Sequence, residues 1–345
     1  VIDFLGYEPH FVDHGAPVWH ALPESLRGRY LVDPGLVDRA AALGIEAEPV
    51  LPPKPRRGVE VPAHDGLAFA TSYGDLKKGR RLGYRRFAFL EHGIGQSYAG
   101  DPTNELAIHH GSYSGGTDRD DVELFLQPNE HSADRWRRTY PAASVAVVGC
   151  PKLDTLPARE PGPGSGPVVC VSFHWDGRSI IPELRSAWHH YHAALRPLAQ
   201  RYRVIGHSHP RMAGTMSRVF RRLRCEFVED FADVCRRADV YVTDNSSTLY
   251  EFAATGRPVV VLNAPWFRRD VEHGLRFWQA SGVGVNVDQP ERLPAGIDAA
   301  LADDESTRCN REAALSTVYA HRSGAAHRAA IALAAWAGQR VEAAA

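Results

Sequence analysis

Short apolar runs alternate with helical periodicity from one end of the chain to the other. In the first half the runs predict strands at Ile2–Gly6, Tyr30–Val32, Leu67–Thr71, Phe87–Leu90, Glu123–Gln127 and Val145–Val148. Helical stretches at Pro34–Leu43 and Glu130–Tyr140 fall between them. Strand–helix alternation of this kind is the mark of parallel βαβ units. The segment 157–167 then interrupts the pattern, with seven Pro or Gly among its eleven residues. Neither helix nor strand persists through such a composition, so it reads as a linker. The alternation resumes with strands at Val168–Ser172, Arg203–Gly206, Glu226–Val228, Val240–Thr243, Val259–Leu262 and Gly284–Val287. Pro182–Gln200 reads as one helix, because Leu184, Trp188, Tyr191, Leu195 and Leu198 recur at spacings of 4, 3, 4 and 3. Further helices are expected near 215–224, 231–237, 248–255, 290–302 and 311–339.

The expected fold class is therefore α/β: two doubly wound Rossmann-like lobes, 1–156 and 168–345, joined by the 157–167 linker, the second ending in a helical tail. A chain of 345 residues is ample for two such domains. The arrangement fits the two-lobed architecture of nucleotide-dependent transferases, with an interdomain cleft at the carboxyl ends of the strands as the place for ligand.

Charge adds an exclusion. There are 40 Lys and Arg against 41 Asp and Glu, a net of −1, so no bulk attraction to nucleic acid is expected. No apolar run reaches the roughly 20 residues a spanning helix needs, and Val1–Leu5 lacks the basic and long apolar regions of a signal peptide. Five scattered Cys without ligand spacing read as free thiols of a reducing, cytoplasmic compartment. The 17 His are the compositional pointer to site chemistry.

Three motifs carry candidate chemistry. The first is Val240-Tyr-Val-Thr-Asp244-Asn-Ser246-Ser247-Thr248-Leu-Tyr-Glu251, an apolar strand running through hydroxyl residues into a helix. Hydroxyls and unpaired backbone N–H groups at a helix start suit an anion such as a diphosphate. The competing structural explanation is a capping box, Thr248-x-x-Glu251, although three hydroxyls in a row exceed what a cap uses. The second motif is Val204-Ile-Gly-His207-Ser208-His209-Pro210-Arg211, a strand ending in two His before a turn. Imidazole titrates near neutrality and serves as a general base. A His-x-His metal site is the alternative, but no Asp, Glu or Cys nearby completes a ligand set, so no metal is expected. The third is Phe87-Ala-Phe-Leu-Glu91-His92-Gly93, again a strand ending in His, with glycine allowing close backbone approach.

Other features are assigned blander roles. His10 and His14 follow the first strand and could reach the cleft, with capping or packing the favoured role; His189, His190 and His192 lie off the apolar helix face and read as solvated; His109, His110 and His131 have no nameable partner. Two basic stretches, Lys77, Lys78, Arg80, Arg81, Arg85 and Arg86, and then Arg218, Arg221, Arg222 and Arg224, are either solvated faces or surfaces for an anionic polymer or membrane.

The order and spacing of the three motifs resemble the CDP-glycerol glycerophosphotransferases of teichoic-acid synthesis. Val147-Val-Gly149-Cys-Pro151-Lys152-Leu-Asp154 is similar to that family's Gly-x-Pro-Arg-x-Asp segment. Glu229–Asp233 with Ala238-Asp239, and Gly256-Arg-Pro258 before an apolar strand, agree as well. The resemblance spans roughly residues 85–280. It departs at Lys152 for Arg, Asn245 for an aromatic, Glu251 for Asp, and Phe173-His174-Trp175 for a Pro-Thr-Trp-like run.

The resemblance implies a GT-B-like transferase with an acceptor-side first domain and a donor-binding second domain. It would move glycerol phosphate, or a related polyol phosphate, from a CDP-activated donor to a hydroxyl, releasing CMP. By the same resemblance His92 and His209 are the catalytic pair. Ser208, Arg211, Asp244, Ser246, Ser247, Thr248, Glu251 and Lys152 hold the donor. No cofactor is implied. The acceptor is a polyol phosphate or glycan of the cell wall, lipid-linked or free, and the enzyme is cytoplasmic, with peripheral contact at the inner membrane face left open. The alternatives are a GT-B glycosyltransferase (or a related sugar epimerase) using a UDP-, GDP- or CDP-sugar, with Glu251 on the ribose, and a non-catalytic binding module that kept the cleft.

Overall fold

The computed structural model describes residues 1–54, 61–94, 119–160, 166–179, 182–267 and 278–338. The expected residues 161–165 of the linker, and His109 and His110, lie outside them. The chain divides into two compact units: the described residues of Val1–Gly95, Ser114–Thr155 and Tyr319–Ala345, and those of Leu156–Val318.

The first unit is a seven-stranded parallel sheet in the order β3-β2-β1-β4-β5-β6-β7. Its strands are β1 Ile2–Gly6, β2 Arg27–Val32, β3 Ala47–Pro49, β4 Leu67–Ala70, β5 Arg86–Leu90, β6 Val122–Gln127 and β7 Ser144–Val147. The chain winds outward one way from β1 and the other way from β4, so the switch point lies between these two strands, where doubly wound sheets open a crevice. Two helices escaped the sequence reading, Pro9–Ala21 and Tyr73–Arg81. The first contains Gly15 and Pro17, which mask its periodicity, yet it buries Phe11, Val12, Ala16 and Val18 against the sheet. The second is capped by Ser72, whose hydroxyl accepts from the Asp75 N–H at 2.9 Å.

The second unit is a six-stranded parallel sheet, β10-β9-β8-β11-β12-β13. Its strands are β8 Val168–Phe173, β9 Arg203–Ser208, β10 Glu226–Phe227, β11 Val240–Thr243, β12 Val259–Leu262 and β13 Val285–Val287. All six residues of β8 are buried, as a central parallel strand covered on both faces requires. Here the switch point lies between β8 and β11. Helix Ala213–Arg222 packs on β9 with Phe220 over Gly206, where any Cβ would strike the ring.

Two expected helices are corrected. The 182–200 stretch is a series of short pieces, Pro182–Leu184, Trp188–Tyr191, His192–Ala194 and Leu195–Arg201. Pro197 cannot donate to the carbonyl one turn back, and the chain tightens into a 3₁₀ turn just before it. The apolar face survives, with Leu184, Tyr191, Leu195 and Leu198 buried. The 311–339 stretch is two helices, Glu305–Val318 and Ala325–Gly338, broken before Gly324 at φ 67°.

The second of these helices packs on the first unit, not on the carboxy-terminal domain to which the sequence reading gave the whole tail. Its Ala329, Ala330, Leu333 and Trp336 join the core that includes β1 and β2 residues. The Asp154 carboxylate accepts from the Ala326 N–H at 2.8 Å. Gly149, at φ 88°, lies under the His321 carbonyl where a Cβ has no room, so the Gly-x-Pro segment is shaped to receive the returning chain. All five cysteines are free thiols. Among the described residues no helix is long and apolar enough to cross a membrane.

Candidate active site

In the first unit β5 delivers Glu91 and then His92 to the carboxyl edge of the sheet. His92 Nδ1 lies 2.7 Å from the backbone carbonyl oxygen of Thr71, just after β4. A carbonyl only accepts, so Nδ1 carries the proton of the neutral ring and Nε2 keeps its lone pair. His92 is therefore set as a proton acceptor at Nε2. Its ring rests 4.9 Å from Phe11, 5.9 Å from His10 and 6.1 Å from His14, centroid to centroid. An added Cβ at Gly93 would meet nothing within 4 Å, so the space beside His92 is open among the described residues.

His10 and His14, read from the sequence chiefly as capping or packing residues, are thus gathered beside His92. Their i, i+4 spacing was the available signal, hidden because the helix itself was not seen. His14 is buried, its Nδ1 3.9 Å from the Cys150 sulfur. Burial, reinforced by the nearby Lys152 charge and by His92, holds its pKa well below the ordinary imidazole value. Lys152, expected among the donor ligands, is buried in the same unit beside His14.

Glu91 points away from solvent, only 2% exposed, and faces Arg119, Arg135 and Trp136. Arg119 is itself fully buried among aromatic rings, 4.7 Å from Tyr73 and 5.1 Å from Trp136. Burial raises the Glu91 pKa to about 7, against the smaller opposing pull of the two arginines. A raised carboxyl pKa means that the folded state holds its proton while the unfolded state has lost it. Stability from this group is full below about pH 4.5, falls as pH climbs, and is gone above about pH 7. Glu91→Gln removes the titration. The stability of wild type relative to the variant should therefore fall by about 3 kcal/mol from pH 4.5 to 7.5. Urea titrations of both proteins across that range check it, and a constant difference would contradict the assignment. Asp75 titrates in the same window but is common to both proteins.

In the second unit His209 follows β9, and its Nδ1 accepts from the Arg211 N–H at 3.2 Å. The neutral ring then carries its proton on Nε2, the reverse of His92. His209 is set as a hydrogen-bond donor. The His174 ring lies 5.2 Å away, and the Arg211 guanidinium sits over Trp175 at 5.0 Å. Burial pushes His174 down to about 4, with the backbone contact at Trp175 opposing and Arg211 adding to the shift. His174 is a neutral neighbour of His209 that the sequence reading noted only as a departure from a motif.

Asp244 differs from its expected role. Its carboxylate is fully buried and accepts from the His174 N–H (2.7 Å), the Ala187 N–H (2.9 Å) and the Ser186 hydroxyl (3.3 Å). It ties β11 to the loop after β8 across the switch point. The hydroxyl run is divided too. Ser246 Oγ and Thr248 Oγ1 are 2.7 Å apart, and Thr248 Oγ1 is 2.9 Å from the Tyr241 hydroxyl. Ser247 occupies the N-cap position of helix Thr248–Ala253 without a side-chain cap bond, and the expected Thr248–Glu251 capping box does not form. Glu251 is buried at 1% exposure. Ser208 is buried, its hydroxyl donating to the His209 carbonyl at 3.1 Å. His189, expected to be solvated, meets Asp176 at 2.7 Å.

The first basic stretch is largely consumed by the fold. Arg80 pairs with Asp121 at 2.6 Å and Arg86 with Glu123 at 3.0 Å. Lys78 and Lys77 lie over the rings of Tyr7 and Tyr73. Among the described residues no group of three or more His, Cys, Asp or Glu is placed to hold a metal ion.

Two parallel doubly wound sheets, each presenting a histidine at its carboxyl edge, make up a GT-B-like α/β fold. Residues 186–331 match the family described as CDP-glycerol:poly(glycerophosphate) glycerophosphotransferase. The fold is similar to that of S. aureus MnaA in a co-structure with UDP, at 12% identity and TM-score 0.63 over 95% of this chain and 93% of that one. A putative UDP-N-acetylglucosamine 2-epimerase from Listeria monocytogenes is similar at 11% identity and TM-score 0.60, over 99% and 96%. The wall teichoic acid polymerase TagF, soaked with CDPG, is similar at 10% identity and TM-score 0.60, over 96% and 86%. No curated protein sequence matches the chain. The resemblance to CDP-glycerol glycerophosphotransferases thus holds, by the family match over 186–331 and in fold by TagF, and the chain is a transferase.

Proposed function

We propose that this transferase moves glycerol phosphate, or a related polyol phosphate, from a CDP-activated donor to an acceptor hydroxyl and releases CMP. The supporting observation is the opposite setting of the two imidazoles, the neutral ring of His92 with its proton on Nδ1 and its acceptor lone pair on Nε2, that of His209 with its proton on Nε2. The transfer needs both. The acceptor O–H passes its proton to His92 Nε2 as its oxygen bonds to the phosphorus bearing glycerol. The bond from that phosphorus to the bridging diphosphate oxygen breaks, and the electron pair leaves on CMP. His209 Nε2–H, Arg211 and the Ser246–Thr248 segment stabilise the charge on the equatorial and leaving oxygens. Lys152 adds positive charge beside the base. The two histidines act in the same turnover.

The match to the glycerophosphotransferase family supports the donor, as does the likeness to TagF. The likeness to MnaA with UDP keeps one rival reading, a nucleotide-sugar enzyme with Glu251 on the ribose. Incubation with CDP-glycerol, CDP-ribitol, UDP-sugars and GDP-sugars, with released nucleotide followed by chromatography, decides between them. CMP release dependent on an added polyol-phosphate or glycan acceptor is expected. Turnover of a UDP- or GDP-sugar alone would overturn the reading.

The donor loop gives a separate expectation. Ser246→Ala with Ser247→Ala should weaken binding of the CDP donor at least tenfold. The stability cost should stay near that of a lost helix cap, about 1 kcal/mol. Titration calorimetry beside thermal melting measures both. A large fall in melting temperature with unchanged donor affinity would make the loop purely structural.

A further inference from the structure

Several arginines of this protein are paired with acid. Arg80 has Asp121, Arg86 has Glu123, Arg159 has Asp239, Arg201 has Asp298, Arg237 has Glu226 and Arg311 has Asp303. Helix Ala213–Arg222 and its end carry a cluster outside such pairs. Arg218, Arg221, Arg222 and Arg224 are exposed, their side chains make no ion pair or hydrogen bond among the described residues, and the helix contains no acidic residue. Met216 and Phe220 are buried on its core face. Arg218 lies two residues from each, about 200° around the helix, so it points outward. Arg222 follows one turn on, about 6 Å further along the same line.

This row starts at the candidate site. The helix follows directly on His209, Pro210 and Arg211, so its amino end stands at the carboxyl edge of β9 and its arginines lead away over about 15 Å. Holding four like charges unpaired so close together works against folding unless a counter-charge arrives. A single donor diphosphate does not reach that far. A chain carrying a phosphate at every repeat does.

We propose that the Arg218, Arg221, Arg222 and Arg224 face binds the already polymerised part of an acceptor that is a linear phosphodiester chain. This rests on the transferase reading above and extends it from the reacting hydroxyl to the length of the acceptor. It gives the second unit a share in acceptor binding that the donor-side assignment did not include. It also implies that the enzyme elongates a polyanion in preference to a single polyol phosphate.

The test compares wild type with Arg218→Gln/Arg221→Gln/Arg222→Gln/Arg224→Gln and with the corresponding four-Lys variant. Binding of a fluorescent poly(glycerophosphate) of about ten repeats is read by anisotropy against salt, without donor. Exposed charge–charge contacts are individually weak, so four together should be worth about 10–100-fold at low salt. The Gln variant should lose that factor and flatten the salt dependence, while the Lys variant retains most of both. Glycerol 3-phosphate should bind all three alike, and melting temperatures should agree because these side chains are exposed and form no hydrogen bond or ion pair among the described residues. Equal chain binding by wild type and the Gln variant would overturn the proposal. So would loss of binding to phosphatidylglycerol vesicles with chain binding intact, which would assign the face to a membrane. CDP-glycerol turnover by wild type is scored separately. Arginine-dependent chain binding without turnover would leave this inference standing and the transfer reaction refuted.

Discussion

His92→Ala should lower kcat by about 10²–10⁴-fold, the usual contribution of a general base, while leaving affinity for the CDP donor nearly unchanged. The hydrogen bond from Nδ1 to the Thr71 carbonyl leaves Nε2 unprotonated, so the ring is ready to receive a proton without first losing one. His209→Ala should behave differently. Its Nε2–H is set to donate, so its loss should weaken donor binding and turnover together. His209→Gln keeps an N–H donor and should recover part of the donor affinity, whereas His92→Gln supplies no base and should recover nothing. Steady-state kinetics with donor binding measured by calorimetry separate the cases. Equal loss of donor affinity in both alanine variants would refute the division of roles.

That division was only partly legible in the sequence. Strand ends were, because a parallel strand buried on both faces is a continuous apolar run, and His92 and His209 each stand where one stops. The tautomers were not, since they depend on the Thr71 carbonyl, supplied by a neighbouring strand, and on a turn closed by the Arg211 N–H. For His10 and His14 the sequence favoured capping or packing for a local reason: Gly15 and Pro17 weaken the helical signal of Pro9–Ala21, which packing restores. His174 was read as a departure from a family motif rather than as a neighbour of His209, because adjacency across β8 and β9 is a matter of register. The returning helix Ala325–Gly338 carries the same lesson. Its alanine-rich periodicity predicts a helix but is silent about which sheet it covers, and the Asp154 and Gly149 contacts decide that.

Asp244 holds three buried donors, and its removal should give the largest stability loss of any candidate site residue. Asp244→Ala strips the partner from two buried backbone N–H groups, those of His174 and Ala187, and from the Ser186 hydroxyl. Each donor left unsatisfied costs about 1–3 kcal/mol, so the three together should cost at least about 3 kcal/mol. At about 2–4 °C per kcal/mol for a unit of this size, the melting temperature should drop by roughly 10 °C. Asp244→Asn should rescue only part of the loss, because its NH₂ group would face an N–H donor where an oxygen now accepts. Donor affinity measured well below the transition should fall as well, since freeing the His174 backbone loosens the ring beside His209. Thermal melting and low-temperature calorimetry of the two variants test the assignment. An Asp244→Ala protein that melts like wild type yet fails to bind donor would return this carboxylate to the role of a ligand.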